Sequence, residues 1–152
     1  MYMRKILSGL AVVFLITACS SSSVLLEPAD FAWPIESVLT TDANGNVSIE
    51  RYSSEFNVTN LFTIEYGDST IAANKEVRII RGQDGYYYMT AAGFKNVYLF
   101  FAKEGTLILE KKVLVNAEGI SEPVFNQRKP YVELIDGEMS YQINSQGLKE
   151  VN

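Results

Sequence analysis

The sequence predicts an all-β fold, an antiparallel two-sheet sandwich built from hairpins. From Pro34 onward, apolar and polar residues alternate in short blocks, glycine-bearing turns separate the blocks, and no stretch holds a 3.6-residue period for three turns. Taken in order, strands are expected over 35–40, 46–52, 57–66, 76–81, 86–90, 96–102, 106–115, 131–135 and 139–143. In the second, Ser48-Ile49-Glu50-Arg51-Tyr52 alternates and reads as half-exposed. In the sixth, Val97-Tyr98-Leu99-Phe100-Phe101 is apolar at every position and reads as covered on both faces.

The turns argue for antiparallel neighbours. Asn44-Gly45, Asp84-Gly85, Glu104-Gly105 and Asp136-Gly137 each lie between two such blocks, where a hairpin needs positive φ. Chained hairpins make meanders, and strands with two apolar faces favour two packed sheets over one open sheet. Asn116-Ala117-Glu118-Gly119-Ile120 and Asn144-Ser145-Gln146-Gly147-Leu148 share a turn pattern, each following a strand. Residues 121–130, with Pro123 and Pro130 and the basic pair Arg128-Lys129, are expected to form the longest loop. Before the first strand, 24–34 reads as an extended lead-in that packs Phe31 and Trp33 across the sandwich edge.

The chain start is of a different kind. Met1-Tyr2-Met3-Arg4-Lys5 is basic, 6–16 is an apolar run weakened by Ser8 and Gly9, and Thr17-Ala18-Cys19 follows. This is the layout of a secretory signal. At about 1.5 Å per residue the run reaches only about half of a hydrocarbon core of about 30 Å, too short for a permanent span. Ile16-Thr17-Ala18-Cys19 resembles the lipobox of bacterial lipoproteins: a branched apolar residue, two small ones, then cysteine. That resemblance covers the signal alone. It implies a diacylglycerol on the sulfur of Cys19, cleavage just before it and acylation of the new amino group. Ser20 stands where that family often carries an inner-membrane retention aspartate, which favours the outer membrane, and the lack of an acidic cluster after Cys19 favours the periplasmic face. The serines at 20–23 have nothing apolar to bury and read as a tether. The expected organisation is therefore a signal over 1–18, a lipidated N-terminus, tether and lead-in over 19–33, and a β domain over 34–152.

Composition removes whole classes of function. The chain has 13 basic and 18 acidic residues, and losing Arg4 and Lys5 with the signal makes it two units more negative, a poor match for nucleic acid. There is no histidine, which removes Ser-His-Asp, Cys-His and histidine-zinc chemistry together. The single cysteine excludes a disulfide within the chain. No cofactor, metal or catalytic residue is expected.

Three constellations merit a reading. Residues 42–50 place oxygen-bearing side chains at alternate positions, but Val47 and Ser53 stand where a calcium loop needs glycine and a bidentate glutamate, so a hairpin tip is expected. Tyr86-Tyr87-Tyr88 with Tyr98, Phe100 and Phe101 suggests an aromatic platform; alternation divides it between two faces, and core packing is the plainer explanation. Glu133 with Asp136, or Glu65 with Asp68, would be acid pairs for glycoside hydrolysis if they faced one another across a cleft. A possible binding surface is assigned to Tyr86, Tyr88, Tyr98, Arg128 and Lys129. The sequence thus reads as a membrane-anchored bacterial envelope lipoprotein with a non-catalytic binding or structural β-module, partnered by the membrane through its lipid and by an envelope protein or glycan. The alternatives are a periplasmic glycan hydrolase and a sandwich subunit assembling by strand addition.

Overall fold

The computed structural model describes residues 35–49 and 54–151. The signal, Cys19, the serine tether, the lead-in with Phe31 and Trp33, and residues 50–52 of the second expected strand lie outside them. The fold is mostly β, and every strand pair is antiparallel. The strands are β1 (Ser37–Thr40), β2 (Asn46–Ile49), β3 (Ser54–Asn57), β4 (Glu76–Arg81), β5 (Tyr87–Thr90), β6 (Asn96–Lys103), β7 (Thr106–Leu114), β8 (Pro123–Arg128), β9 (Tyr131–Asp136), β10 (Met139–Asn144) and β11 (Gly147–Val151). One helix, α1 (Thr59–Tyr66), and a 3-10 turn (Thr70–Ala72) lie between β3 and β4.

The strands form a five-stranded sheet in the order β1-β4-β5-β6-β7, a four-stranded sheet β11-β10-β9-β8 and the pair β2-β3. Alternation along β4, β5 and β6 sends apolar side chains to both faces of the five-stranded sheet. Val77, Ile79, Met89 and Tyr98 join one core with Val47 and Ile49 of β2 and Leu61 and Phe62 of α1. Ile80, Tyr88, Val97 and Leu99 join the other with Phe125, Val132, Leu134 and Ile143 of the four-stranded sheet. The expectation of cover on both faces holds for the first half of β6, where Val97 and Leu99 serve one core and Tyr98 the other, all three fully buried, and fails at its end, where Phe101 is exposed. The two-sheet picture needs a third layer, because β2-β3 and α1 cover the face that the four-stranded sheet does not.

Four local expectations are corrected. Residues 57–66 are expected as a strand from the block alternation, yet Thr59–Tyr66 is helical. Its buried residues, with Val58 just ahead, are Leu61 and Phe62, the i, i+3, i+4 spacing of a helix face, and it stops at Gly67 in the left-handed region, φ 75°. Residues 121–130 are not a long loop: β8 runs through them, and Pro123, Phe125 and Gln127 point inward. A last strand, β11, follows the second Asn-x-x-Gly turn, where Asn144 Oδ1 accepts the N–H groups of Gln146 and Gly147. Finally, Asn44-Gly45 is a turn but closes no hairpin, because β1 pairs with β4 and β2 pairs with β3. The other three glycine turns do join paired neighbours. Glu104 and Gly105, at φ 50° and 77°, make the two-residue connection between β6 and β7.

Two polar ties fasten the layers. Glu36 accepts from Arg78 Nη1 at 2.9 Å and from the backbone N–H of Phe125 at 2.8 Å, linking the lead into β1, strand β4 and the edge strand β8. Glu65 on α1 accepts from Lys95 N (3.0 Å), Asn96 Nδ2 (2.7 Å) and Tyr98 Oη (2.8 Å), binding the helix to the start of β6. Beneath α1, Phe94 meets Phe62 edge-on with ring centroids 4.9 Å apart.

Phe94→Ala is expected to cost about 3–5 kcal/mol in urea unfolding, because the fully buried ring leaves a cavity between α1 and the sheet. Phe101→Ala, at an exposed position, is expected to cost far less; equal losses would contradict the packing described.

Candidate functional site

The five residues assigned to a binding surface do not share one. Tyr88 lies in the core against the four-stranded sheet and donates from its hydroxyl to Asp84 Oδ2 at 2.5 Å. Tyr98 lies in the opposite core and donates to Glu65. Tyr86 is half-buried beside Phe101, ring centroids 6.0 Å apart. Arg128 ends β8 and pairs with Glu133, Nε to Oε2 at 3.2 Å, while Lys129 is exposed in the turn to β9. Burial, and then the hydrogen bond to a neighbouring carboxylate, push the Tyr88 and Tyr98 hydroxyls well above the ordinary tyrosine range.

The paired carboxylates are hydrogen-bond acceptors within the frame. Asp68 accepts from Thr70 N and Oγ1, both at 2.8 Å, and those bonds hold its carboxyl below the usual range. Buried Asp136 accepts from Ser121 N (2.9 Å), Ser121 Oγ (2.7 Å) and Glu122 N (2.8 Å). Glu133 accepts from Ser140 Oγ at 3.1 Å besides its pairing with Arg128. Asp42 accepts from Asn44 N (2.7 Å), Asn46 N (2.8 Å) and Asn46 Nδ2 (3.0 Å), so its loop is closed on itself. Among the described residues, no cluster of three or more acidic or sulfur ligands is placed to hold a metal ion.

What the fold does build is an apolar groove of about 840 Å³, within the size range of ligand and peptide sites. Ile49, Phe56 and Ile64 line it from the β2-β3 and α1 side; Tyr87, Phe100 and Leu109 line it from the five-stranded sheet. Glu55, Asn57, Asn60 and Thr63 supply polar groups. The groove exists because the β6-β7 hairpin carries apolar residues on both faces past the end of either core. Phe100 pairs with Leu109 and Ala102 with Leu107 on the groove side; Phe101 pairs with Ile108 on the other. Phe101 and Ile108 are 46% and 47% exposed, so neither core covers them. Sequence reasoning missed the groove because it missed α1, and the Val58, Leu61, Phe62 spacing followed by Gly67 was the available signal.

The outer edge of β7 belongs to the same region. Between Leu99 and Phe100 the register slips, leaving Glu110 without a partner on β6, and this bulge divides β7. Beyond it stand Lys111 and Lys112, and Lys111 Nζ donates to the carbonyls of Ser145 (3.0 Å) and Gln146 (2.9 Å). Before it stand Leu107, Ile108 and Leu109. The chain matches no protein-family model, no curated protein and no solved structure.

The tyrosine geometry gives a pH dependence. Because folding raises the Tyr88 and Tyr98 values, their contribution is complete below about pH 10, the unfolded value, and is lost as pH rises above it. Alkaline titration should therefore show exposed tyrosines ionising first and these two only as near-ultraviolet circular dichroism collapses; phenolate absorbance reaching its full amplitude in the folded protein would refute the assignment.

Proposed function

We propose that this protein is a lipid-anchored, non-catalytic module of a bacterial envelope, held at the outer membrane through Cys19 and facing the periplasm. It docks an extended segment of another envelope protein by strand addition along the first half of β7. The anchor rests on the lipobox resemblance at Ile16-Thr17-Ala18-Cys19. More than one acyl chain, at about 0.8 kcal/mol per buried methylene, makes a durable anchor where a single chain does not.

The docking rests on one contrast among the edges of the two larger sheets. A sheet edge is a row of unpaired donors and acceptors, and natural proteins shorten, charge or cover it. β1 is only four residues long. β11 exposes Lys149 and Glu150. β8 opens with Pro123, which has no N–H, and gives the Phe125 N–H to Glu36. β7 is blunted by its bulge and by Lys111 and Lys112, but only in its second half. Its first half, Thr106 to Leu109, combines exposed Ile108 and Leu109 with an outer edge that pairs with no strand among the described residues. A partner strand there gains backbone hydrogen bonds along the edge and apolar contact with Ile108 on the face away from the groove. Tethering at a surface raises the effective concentration, so a short edge suffices.

Cys19→Ala should release the protein from washed membranes while leaving its circular dichroism unchanged, and mass spectrometry should find acyl chains on the N-terminal cysteine of the wild type. Retention of the variant in membranes would overturn the anchor. For the docking, a photo-crosslinking residue at Ile108 in intact envelopes should give a discrete adduct that the same residue at Lys149 does not; indistinguishable patterns would overturn it.

A further inference from the structure

We infer that the groove between α1 and the β6-β7 hairpin is the seat of this chain's own lead-in, with Phe31 and Trp33 as the side chains that fill it. The inference depends on neither the acylation of Cys19 nor the docking at β7. It starts from where the described chain begins. β1 runs antiparallel to β4 with Ser37 opposite Ile79, so Ile35 comes in beside Arg81, where β4 ends. At that same end of the sheet β5 starts at Tyr87, β6 finishes at Lys103 and β7 starts at Thr106. The chain preceding Ile35 thus arrives at the end where the groove lies.

The surfaces are continuous as well. Ile35 and Ser37 line a small hollow with Ile49 and Tyr87, and those last two residues also line the groove. Ile35 itself is 64% exposed, an apolar side chain at the lip with nothing described above it. Reach is sufficient without any residue before Phe31. Neighbouring strands are about 4.8 Å apart, which puts the near part of the groove, over β5 and β6, about 10–14 Å from β1. Trp33 and Phe31 stand two and four residues before Ile35, and an extended chain covers about 3.3–3.6 Å per residue, about 7 and 14 Å.

The residue types match the seat. Pro34 biases Trp33 toward extended backbone, and in extended backbone positions 31 and 33 project to one side. Two aromatic rings two residues apart therefore present a single apolar face, with the small Ala32 between them. The indole N–H, the pair's one polar side-chain group, finds acceptors in Glu55, Asn57 or Thr63, all of which line the groove. Filling it this way covers Phe100, Leu107 and Leu109 on the groove side and leaves Phe101, Ile108 and the outer edge of β7 open.

Trp33 is the only tryptophan, so its fluorescence reports the seat directly. The full chain in phosphatidylethanolamine vesicles should show blue-shifted emission with low acrylamide quenching. Leu109→Asp, which puts a charge in the groove wall, should shift the emission to the red and raise the quenching several-fold. Leu114→Asp, farther along the same strand at an exposed position, should change neither. Circular dichroism and thermal melting establish that both variants remain folded. Emission that is red and freely quenched in the wild type would overturn the inference in favour of a solvated lead-in. Emission that is blue in all three proteins would overturn it in favour of a tryptophan held by lipid or by another part of the chain.

Discussion

The structure depends on one constraint: strands β4, β5 and β6 are apolar on both faces, so water must be excluded from both. A strand pleat alternates its side chains, and here each alternation meets a different partner. Tyr88, Val97 and Leu99 look toward the four-stranded sheet, while Met89 and Tyr98 look toward α1 and β2. At about 25 cal/mol per Å² of apolar surface removed from water, uncovering either face would forfeit a large share of the stability of a domain this size. The chain therefore wraps back twice, first through β2, β3 and α1 before the meander is built, then through β8 to β11 after it.

The polar groups inside follow from the same requirement. Tyr88 and Tyr98 sit on opposite faces, and each buried hydroxyl needs an acceptor. Asp84 in the β4-β5 turn serves one; Glu65 on α1 serves the other and adds two donors from the start of β6. The carboxylates that invite a catalytic reading are engaged as acceptors: Glu65 ties α1 to β6, Asp136 and Glu133 bond within the four-stranded sheet and its approach, and Asp68 bonds its own turn. Their hydrogen bonds hold α1 and the 121–122 segment in place, so a chemical role would have to be taken from a structural one.

Apolar cover runs out beside the groove. The β6-β7 hairpin extends beyond both cores with Phe100, Phe101, Leu107, Ile108 and Leu109 still apolar. Three edges of the larger sheets are short, charged, or closed by Pro123 and Glu36, and the bulge at Glu110 guards half of the fourth. The unguarded half adjoins the groove. An apolar hairpin left in water is an aggregation hazard, which the proposed seating of the lead-in and the proposed strand docking would each relieve.

What the sequence determined by itself was the strand period, the three glycine turns that join paired neighbours and the division of the tyrosines between two faces. Each is legible because its physical cause is local: a pleat has period two and a tight turn needs positive φ. The tertiary structure alone decided which strands are neighbours. Asn44-Gly45 looks like any hairpin turn, yet β1 pairs with β4, because the edge of the five-stranded sheet offers it both hydrogen bonds and a core for Leu39. It also turned 59–66 into a helix against its β-branched residues, since Leu61 and Phe62 are buried from one helical face over Phe94. The groove was beyond the reach of local pattern for the same reason. Alternation tells which side of a strand is apolar, but whether anything lies over that side is settled by segments distant in the chain.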